Sequence, residues 1–386
     1  AIYTLSLHDA LPILAHRQSR WRVVVLPGAD TLPWAAWENV GRFVREGGAL
    51  IALGSLPANT ETEFPSARVQ ALSGELFGQV QHEISFHTNQ AGGIGIFLPP
   101  GTEGLLPAVL DGLLERDVAV SSTRSPIRLT HRRVADREVY FLINDSSKPW
   151  TGAVEFAARG KGEQWDPGAG KLITADLAPR ANLSLEPYGA MLFRFPEARP
   201  RQRLRAGNGS QPTLAAHAIP AADPVLSCGE FVRAEIKPDA ALSSPARPVW
   251  RAGGVLTKGK VDTFLFMRLF YAQPLDLSRS DCVILETWMP AGQQTPNQLL
   301  VVLREKGGGD FLAETGCSLG NSGYARTVIP LNRFQLAGWS KDSDGELDPR
   351  QVDEVRIGWG GYLGTEGERV EFSSALPQTA SVSAKP

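Results

Sequence analysis

The chain has 386 residues, which is enough for two or three domains. Hydrophobic residues make up 42% and charged residues 21% of it, as in ordinary globular proteins, and no apolar run reaches membrane-spanning length. The net charge is −2 with acidic and basic residues interspersed, so the composition argues against nucleic acids and anionic membranes as partners.

The number and spacing of the cysteines argue against a zinc site and against more than one disulfide. Cys228, Cys282 and Cys317 have no CxxC spacing, which argues against a zinc site, and three thiols allow at most one disulfide. We therefore expect no zinc, and the sequence indicates no other resident cofactor.

The first thirteen residues are expected to differ in origin from the rest. Residues 2–13, IYTLSLHDALPI, resemble the translation of a widely used DNA-sequencing adapter. Segments of this kind are left out of fold reasoning, so we predict that 1–13 is not native and that His8 and Asp9 carry no chemistry. Native sequence is then expected to begin near Leu14, inside a longer protein, which leaves the localisation unknown from the sequence.

Residues 14–122 predict an α/β domain. The apolar run 21–26 is typical of a strand buried on both faces, and 49–53 is a second one. Between them, apolar residues recur at three- and four-residue spacing from Trp34 to Val44, which predicts an amphipathic helix. Strand, helix and strand with short connections predict a parallel pair. Further helices are expected at 69–77 and 105–114, with a strand at 95–98.

Two strings in this domain, VVVLPGADTLP and NVGRFVREGGALIALGSLP, resemble the flavodoxin-like fold of the glutamine amidotransferases, which also occurs as a non-catalytic domain in several glycosidases. The enzymes of that fold use a cysteine nucleophile on a sharp strand-to-helix turn and a partner histidine. No cysteine lies in this region, and Ser55 lacks the second glycine of such a turn. We therefore expect the domain to be non-catalytic, with His82 and His87 as ordinary surface residues.

Residues 123–196 predict a β-sandwich. Strands are expected at 127–131, 138–144, 182–185 and 190–195, because these segments are apolar or alternate and turn residues separate them. The strings REVYFLIND, GEQWDPGAGK and LSLEPYGAMLFRF resemble the β-sandwich that follows the catalytic barrel in large glycoside hydrolases of the α-L-rhamnosidase type. The resemblance implies a structural module, catalytic carboxylates on a barrel upstream, and a secreted or periplasmic protein.

The two flanks of the last domain predict little regular structure. Residues 197–225 are rich in Pro, Arg, Gly and Ala without an apolar period, which favours a linker. Residues 374–386 consist mostly of Ser, Ala, Thr and Pro, and we expect a disordered tail there.

Residues 226–373 predict a second β-sandwich. Long apolar strands separated by turns rich in Gly, Pro, Asn and Asp are expected at 263–271, 282–289, 298–306, 325–330, 352–358 and 369–373. The strings PLDLSRSDCVILETWM, ARTVIPLNRFQLAGW and LDPRQVDEVRIGWGG resemble the galactose-binding-like jelly rolls that serve as carbohydrate-binding modules. The fold class expected for the whole chain is therefore multidomain, with a flavodoxin/amidotransferase-like α/β domain followed by two all-β sandwiches, the last a jelly roll.

Charged residues in the middle of these apolar strands mark a candidate site. Side chains alternate faces along a strand, so Arg268 shares a face with Phe266 and Phe270. Such charges need partners or a wet face. Two interpretations stay open: an Arg–Glu network that holds the sandwich, or a sugar groove with an aromatic platform. The candidate carbohydrate-binding residues are Arg268, Glu286, Trp288, Arg304, Arg356, Trp359 and Tyr362, of which Trp359 has the parity of the core.

An acidic loop, Asp342 to Glu346, is the remaining feature of this domain. It fails the EF-hand pattern, because Gln351 stands where a bidentate Glu is needed. The resemblance to jelly-roll modules leaves a structural calcium open.

Two classes of function follow from these patterns. The first is a non-catalytic part of an α-L-rhamnosidase-like glycoside hydrolase, acting on plant-type or microbial polysaccharide and carrying a carbohydrate-binding module. The second is a self-contained hydrolase or amidotransferase-like enzyme that uses the first domain. A jelly roll that serves only as a scaffold is a third possibility.

Overall fold

The computed structural model describes residues 10–11, 13–16, 19–79, 82–121, 125–198 and 212–384. The segment 1–13, expected to be non-native, lies largely outside them. The chain forms two compact units, one built from 1–113 with 205–386 and the other from 114–204. Among the described residues, no helix has the length and apolar character needed to cross a membrane.

The first part of the first unit is an α/β layer. Its elements are β1 (Ala10–Leu11), β2 (Ile13–His16), β3 (Ser19–Trp21), β4 (Val23–Pro27), α1 (Trp34–Arg45), β5 (Ala49–Leu53), α2 (Ala67–Phe77), β6 (Ser85–Thr88), β7 (Ile94–Leu98) and α3 (Leu106–Leu113). Strands β1 to β3 form a small antiparallel sheet, and the main sheet has the order β4-β5-β7-β6. The predicted parallel pairing of β4 with β5 is confirmed, β7 extends it in parallel, and β6 runs antiparallel.

The core of this layer follows from the helical spacing. On α1, Trp37 and Val40 are fully buried against Leu50 and Ala52 of β5. The Trp37 indole N–H donates to the Asn59 carbonyl at 2.8 Å, so its polar edge is satisfied. Apolar residues at three- and four-residue spacing thus place one face of the helix on the sheet.

The second unit is a β-sandwich. Its strands are β8 (Val118–Val120), β9 (Ile127–Val134), β10 (Arg137–Asn144), β11 (Trp150–Phe156), β12 (Ala158–Arg159), β13 (Gly162–Asp166), β14 (Lys171–Leu177), β15 (Arg180–Leu185), β16 (Ala190–Phe195) and β17 (Glu197–Ala198). They form sheets of the order β14-β13-β16-β10-β9 and β15-β11-β8, with β12 paired to β17. Because β8 pairs with β11, the sandwich begins before the boundary predicted at 122. Three residues, Val-Ala-Val, were too short a pattern to assign to either domain.

A half-buried histidine joins three parts of this unit. The His131 ring stacks on Tyr140 with a centroid distance of 4.1 Å, and its two nitrogens lie 2.8 Å from Glu138 and 3.3 Å from Asp117. The hydrogen bond to Asp117 raises the pKa of His131 above its ordinary value; burial opposes this effect and Glu138 adds to it. The imidazolium is therefore the form that the folded unit favours.

The raised pKa predicts a pH-dependent effect of replacing His131. A group whose pKa is higher in the folded state contributes stability fully below its unfolded pKa of about 6.5, and this contribution is lost as pH rises through the folded pKa. We expect His131→Gln to lower the melting temperature most at about pH 6 and much less at about pH 9. Calorimetry of the full chain measures both values. An equal loss at the two pH values would contradict the prediction.

The second part of the first unit is a larger sandwich. Its strands are β18 (Pro212–Ala218), β19 (Val225–Cys228), β20 (Val232–Pro238), β21 (Val249–Leu256), β22 (Thr263–Leu275), β23 (Cys282–Met289), β24 (Gln298–Glu305), β25 (Asp310–Ser318), β26 (Gly323–Pro330), β27 (Gln335–Leu336), β28 (Val352–Tyr362), β29 (Arg369–Ala375) and β30 (Gln378–Ala384). A seven-stranded sheet has the order β18-β30-β23-β29-β21-β20, with β26 also paired to β23, and a six-stranded sheet has the order β19-β22-β28-β24-β25-β27.

Alternate residues of the two sheets meet in one core. Leu285 of the seven-stranded sheet and Leu265, Val301, Ile357 and Trp359 of the six-stranded sheet belong to the same fully buried cluster. The two-residue period places the intervening side chains on the outer faces of the sheets. The charged and polar strand residues described below lie on these outer faces.

Two segments expected to lack regular structure are paired strands instead. β18 lies in the predicted linker and β30 in the predicted disordered tail, and they pair over their whole lengths. The expectation failed because strand pairing uses backbone hydrogen bonds, which these Ala-, Ser- and Thr-rich segments can form without an apolar period. Ala380 of β30 is fully buried.

Polar contacts also join the larger sandwich to the α/β layer within the first unit. Asn332 donates to the Gly104 carbonyl and Arg333 to the Gly101 carbonyl, both at 2.9 Å. These bonds satisfy backbone oxygens at the turn before α3, so the two parts share an ordered boundary.

Candidate functional site

Three rows of side chains cross the outer face of the six-stranded sheet. Strand register forms these rows from β22, β28, β24 and β25, in that order: Phe270, Glu354, Arg304 and Asp310; then Arg268, Arg356, Val302 and Leu312; then Phe266, Gly358, Leu300 and Glu314. Charged groups dominate the first row and apolar groups the third, so the face changes from ionic to apolar over four residues along each strand.

The charged end is a continuous ion network. Arg356 bonds Glu354 through Nε at 2.8 Å and Asp310 through Nη1 at 3.0 Å. Arg268 adds a bond to Glu354 at 3.1 Å, and Arg304 adds one to Asp310 at 2.8 Å. Three cations therefore share two carboxylates across four strands.

Both carboxylates are buried and ionised. Burial by itself would raise the pKa of Glu354, but the bonds and charges of Arg268 and Arg356 outweigh it, so this pKa lies below its ordinary value. Burial would likewise raise the pKa of Asp310, and bonds from Trp339, Arg304 and Arg356 bring it below the ordinary value. The network is thus fixed in its charged form at neutral pH.

Beside the network lies a groove of about 600 Å³. Arg268 and Arg356 form part of its wall, and Phe266 and Leu300 give it apolar surface. Between those two residues the third row has Gly358, where a Cβ would lie 2.0 Å from the Leu265 carbonyl oxygen. Close approach of the strands thus leaves this row without a side chain between Phe266 and Leu300.

One exposed tryptophan borders the groove. The Trp339 side chain is 62% exposed, and its indole N–H donates to Asp310 Oδ2 at 3.0 Å. Because Asp310 is itself held by Arg304 and Arg356, the ion network fixes one edge of the ring. The groove therefore combines an oriented, solvent-facing aromatic ring with guanidinium groups and apolar surface.

The residues that the sequence predicted for the site lie in three different parts of the sandwich. Arg268 and Arg356 line the groove, and Arg304 supports it through the network. Glu286 and Trp288 belong to β23 of the opposite sheet, so they do not join this site. Trp359 is fully buried and offers no face to a ligand.

Tyr362 has a structural position. Its hydroxyl donates to Glu368 at 2.5 Å, and its ring packs edge-on against Trp359 at a centroid distance of 6.1 Å. It is absent from the groove wall formed by the described residues. Tyr362, which the sequence predicted as a carbohydrate-binding residue, therefore does not line this groove.

The sequence did not point to three residues of the site: Trp339, which lines the groove, and Glu354 and Asp310, which belong to the ion network beside it. Trp339 lies in a loop, where no periodicity shows which way a side chain points. Glu354 shares the parity of Arg356, two residues along the same strand, and this signal was available. Asp310 is 46 residues from Arg356, and only the register of β25 brings them together.

The α/β layer offers no catalytic constellation in its described residues. Ser55 Oγ is buried and has no hydrogen-bond partner among them, so no base activates it. The side chain of His87 lies instead near Gly78, where a Cβ would be 3.4 Å from its Nδ1. No observation therefore favours a hydrolase or amidotransferase that uses this layer.

Some carboxylate oxygens in and beside the acidic loop accept backbone N–H groups. Asp342 accepts the N–H groups of Asp344 and Gly345, and Glu305 accepts that of Asp348. Across the described part of the chain, no three Asp, Glu, His or Cys side chains are grouped as metal ligands. These residues do not fit the calcium site that the resemblance left open.

No protein-family model matches the chain, and no curated protein matches it. Similar solved structures include a family 11 carbohydrate-binding module from Clostridium thermocellum in complex with a β-1,3-1,4-mixed-linked tetrasaccharide, at TM-score 0.34 and 12% identity over 45% of this chain and 98% of that one. A rhamnosidase from Novosphingobium matches at TM-score 0.35 and 13% identity over 92% of this chain and 34% of that one. A β-galactosidase from Bacillus circulans matches at TM-score 0.32 and 12% identity over 45% and 33%. The chain thus spans about a third of the two enzymes. At these TM-scores the similarities do not decide the function, which the chemistry of the groove has to support.

Proposed function

We propose that the sandwich of residues 212–384 binds carbohydrate in the groove of its six-stranded sheet, and that the chain is a non-catalytic part of a glycoside hydrolase. The observation that carries the proposal is Trp339, an exposed ring fixed by a buried carboxylate beside two groove-lining arginines. Sugars present flat C–H surfaces and many hydroxyls, and such a wall offers partners for both.

The charge of the groove favours neutral glycans. Glu354 and Asp310 offset most of the charge of the three arginines, while Asp262 and Glu314 also line the groove. An anionic polysaccharide would gain little from this balance. Arg268 and Arg356 can still donate hydrogen bonds to neutral hydroxyls, because guanidinium groups carry several donors.

The buried carboxylates are poorly suited to catalysis. Glycoside hydrolysis needs one carboxyl group that can be protonated and a second that acts as base or nucleophile. Glu354 and Asp310 are both held as carboxylates by arginines, and their pKa values lie below the ordinary range. Neither is placed to act as a general acid, which supports a binding role.

The finer parts of the proposal concern the parent protein. We propose an enzyme of the α-L-rhamnosidase type acting on plant-type or microbial polysaccharide, with catalytic residues outside this chain and export from the cytoplasm. The α/β layer would then be an amidotransferase-like structural part, and the 114–204 sandwich a second structural module.

Affinity electrophoresis of the full chain tests the binding proposal. We expect retardation in a gel containing a neutral polysaccharide, from a panel with mixed-linkage β-glucan, xylan and galactomannan, and none in polygalacturonate. In parallel, we expect no hydrolysis of aryl glycosides, α-L-rhamnoside included. Unchanged mobility in every gel would contradict binding, and turnover abolished by a single carboxylate substitution would contradict the non-catalytic role.

A further inference from the structure

The opposite sheet of the same sandwich carries a second row of polar and aromatic side chains. Register aligns Arg251 with Ser373, Ser373 with Trp288, and Trp288 with Tyr324, across β21, β29, β23 and β26. Ser373, which lies between Arg251 and Trp288, has the shortest side chain of the row. A pocket of about 260 Å³ lies there, with Arg251 and Trp288 in its wall and Ser373 between them.

The aromatic wall of this pocket is held in place from outside it. The Arg247 guanidinium lies 5.1 Å from the centre of the Trp288 ring, and Tyr324 packs against the same ring at 5.3 Å and 51°. Glu286 connects the two, since it pairs with Arg247 and accepts the Tyr324 hydroxyl at 2.8 Å. Trp288 is therefore pre-oriented, which lowers the entropy lost when a ligand packs on it.

The polar side of the pocket has hydrogen-bonding groups that make no hydrogen bond within the part of the protein that the structure describes. Arg251 uses Nε and Nη2 on the buried Asp239, at 3.1 and 2.9 Å, and Nη1 has no partner among the described residues. Glu371 binds Arg369 through Oε2, which leaves Oε1 facing no hydrogen-bond donor in the described part of the chain. A donor and an acceptor thus border a pocket with an aromatic wall, and each charge has its own partner: Asp239 pairs with Arg251, and Arg369 pairs with Glu371.

We propose that this pocket is a second carbohydrate subsite, specific for a single neutral sugar ring. This proposal rests on the proposed glycan-binding function and extends it. The sandwich would bind a glycan chain in the groove of one sheet and a single sugar ring in the pocket of the other. The volume is below the about 300 Å³ at which pockets for larger ligands begin, which limits the occupant to one ring. Both a free monosaccharide and the end residue of a longer glycan present a single neutral sugar ring of this kind.

Saturation-transfer NMR on the full chain tests the subsite, with glucose, galactose, mannose, xylose and rhamnose as probes. We expect signals from at least one of them, and at least a tenfold loss of affinity in Trp288→Ala. Leu242 borders the pocket and is 36% exposed, so Leu242→Trp should fill the pocket without disturbing the core, and should abolish the signals as well. A trisaccharide ending in the same sugar, tested on Trp339→Ala so that the groove contributes little, separates the two sources: signals confined to its end residue indicate recognition of chain ends, and a lack of signals indicates the free sugar.

The matched control is Trp339→Ala in the groove, which should leave monosaccharide signals unchanged. Signals that persist in Leu242→Trp, or that vanish in Trp339→Ala, overturn the second subsite. Retardation by polysaccharide without any monosaccharide signal overturns it too, but leaves the groove proposal intact. If the chain binds neither probe, both proposals fail.

Discussion

Replacing Arg356 by Met is expected to lower the free energy of unfolding by about 3 kcal/mol. Arg356 is the shared partner of Glu354 and Asp310, and both carboxylates are at least nine-tenths buried. Its removal leaves each of them with a single arginine. The value is the lower end of the range for breaking buried ion pairs, because Arg268 and Arg304 remain. Urea unfolding of the full chain at neutral pH measures the change.

Acid provides an internal check on this result. The carboxylates have lowered pKa values in the folded state, so their contribution is present above their unfolded values of about 4 and is lost as pH falls through the folded ones. The difference between the wild type and Arg356→Met should therefore shrink toward about pH 3. Arg45→Ala removes a half-exposed pair with Glu75 and should cost less than about 1 kcal/mol. A difference that stays constant with pH would mean that packing, rather than charge, explains the loss.

Trp339→Ala is expected to weaken binding of a groove-bound oligosaccharide about 30-fold, or about 2 kcal/mol, while the melting temperature hardly changes. The ring is mostly exposed, so it contributes little to the core, and Asp310 keeps its two arginines when the indole is lost. Isothermal titration and thermal melts of the same samples measure the two quantities.

Two variants define what the ring supplies. Trp339→Phe keeps an aromatic face but loses the N–H that bonds Asp310, and should retain part of the affinity. Tyr188→Ala removes a similarly exposed aromatic ring from the second unit and should change nothing. An equal loss in all three variants would count against a specific role for Trp339.

The sequence predicted the strands of the larger sandwich well where apolar residues form long runs. The bounds expected for β23, residues 282–289, coincide with the observed ones. It did not predict β19, β20, β21, β25 or β27. It also missed β18 and β30, because a strand of small residues that pairs mainly through its backbone has no distinctive pattern.

The candidate site was predictable only in part. Alternation correctly placed Arg268 on one face with Phe266 and Phe270, and these residues point away from the core. Parity, however, gives the face of a strand and not the sheet to which it belongs. The sequence pattern therefore groups Glu286 and Trp288 with the arginines, although β23 belongs to the other sheet.

The network itself depends on contacts far apart in the chain. Glu354 is 86 residues from Arg268, and no local pattern specifies that pairing. Trp339 is positioned by its bond to Asp310 rather than by a strand period. The aromatic element of the proposed site could therefore come only from the three-dimensional structure.

A crystal structure of the chain with a bound oligosaccharide tests the central claim most directly, using a ligand chosen by the electrophoresis panel. The account predicts density along the outer face of the six-stranded sheet, with one sugar ring against the face of Trp339 and hydroxyls within hydrogen-bond distance of Arg268 or Arg356. An oligosaccharide bound elsewhere, with Trp339 and the groove free of ligand, would contradict it.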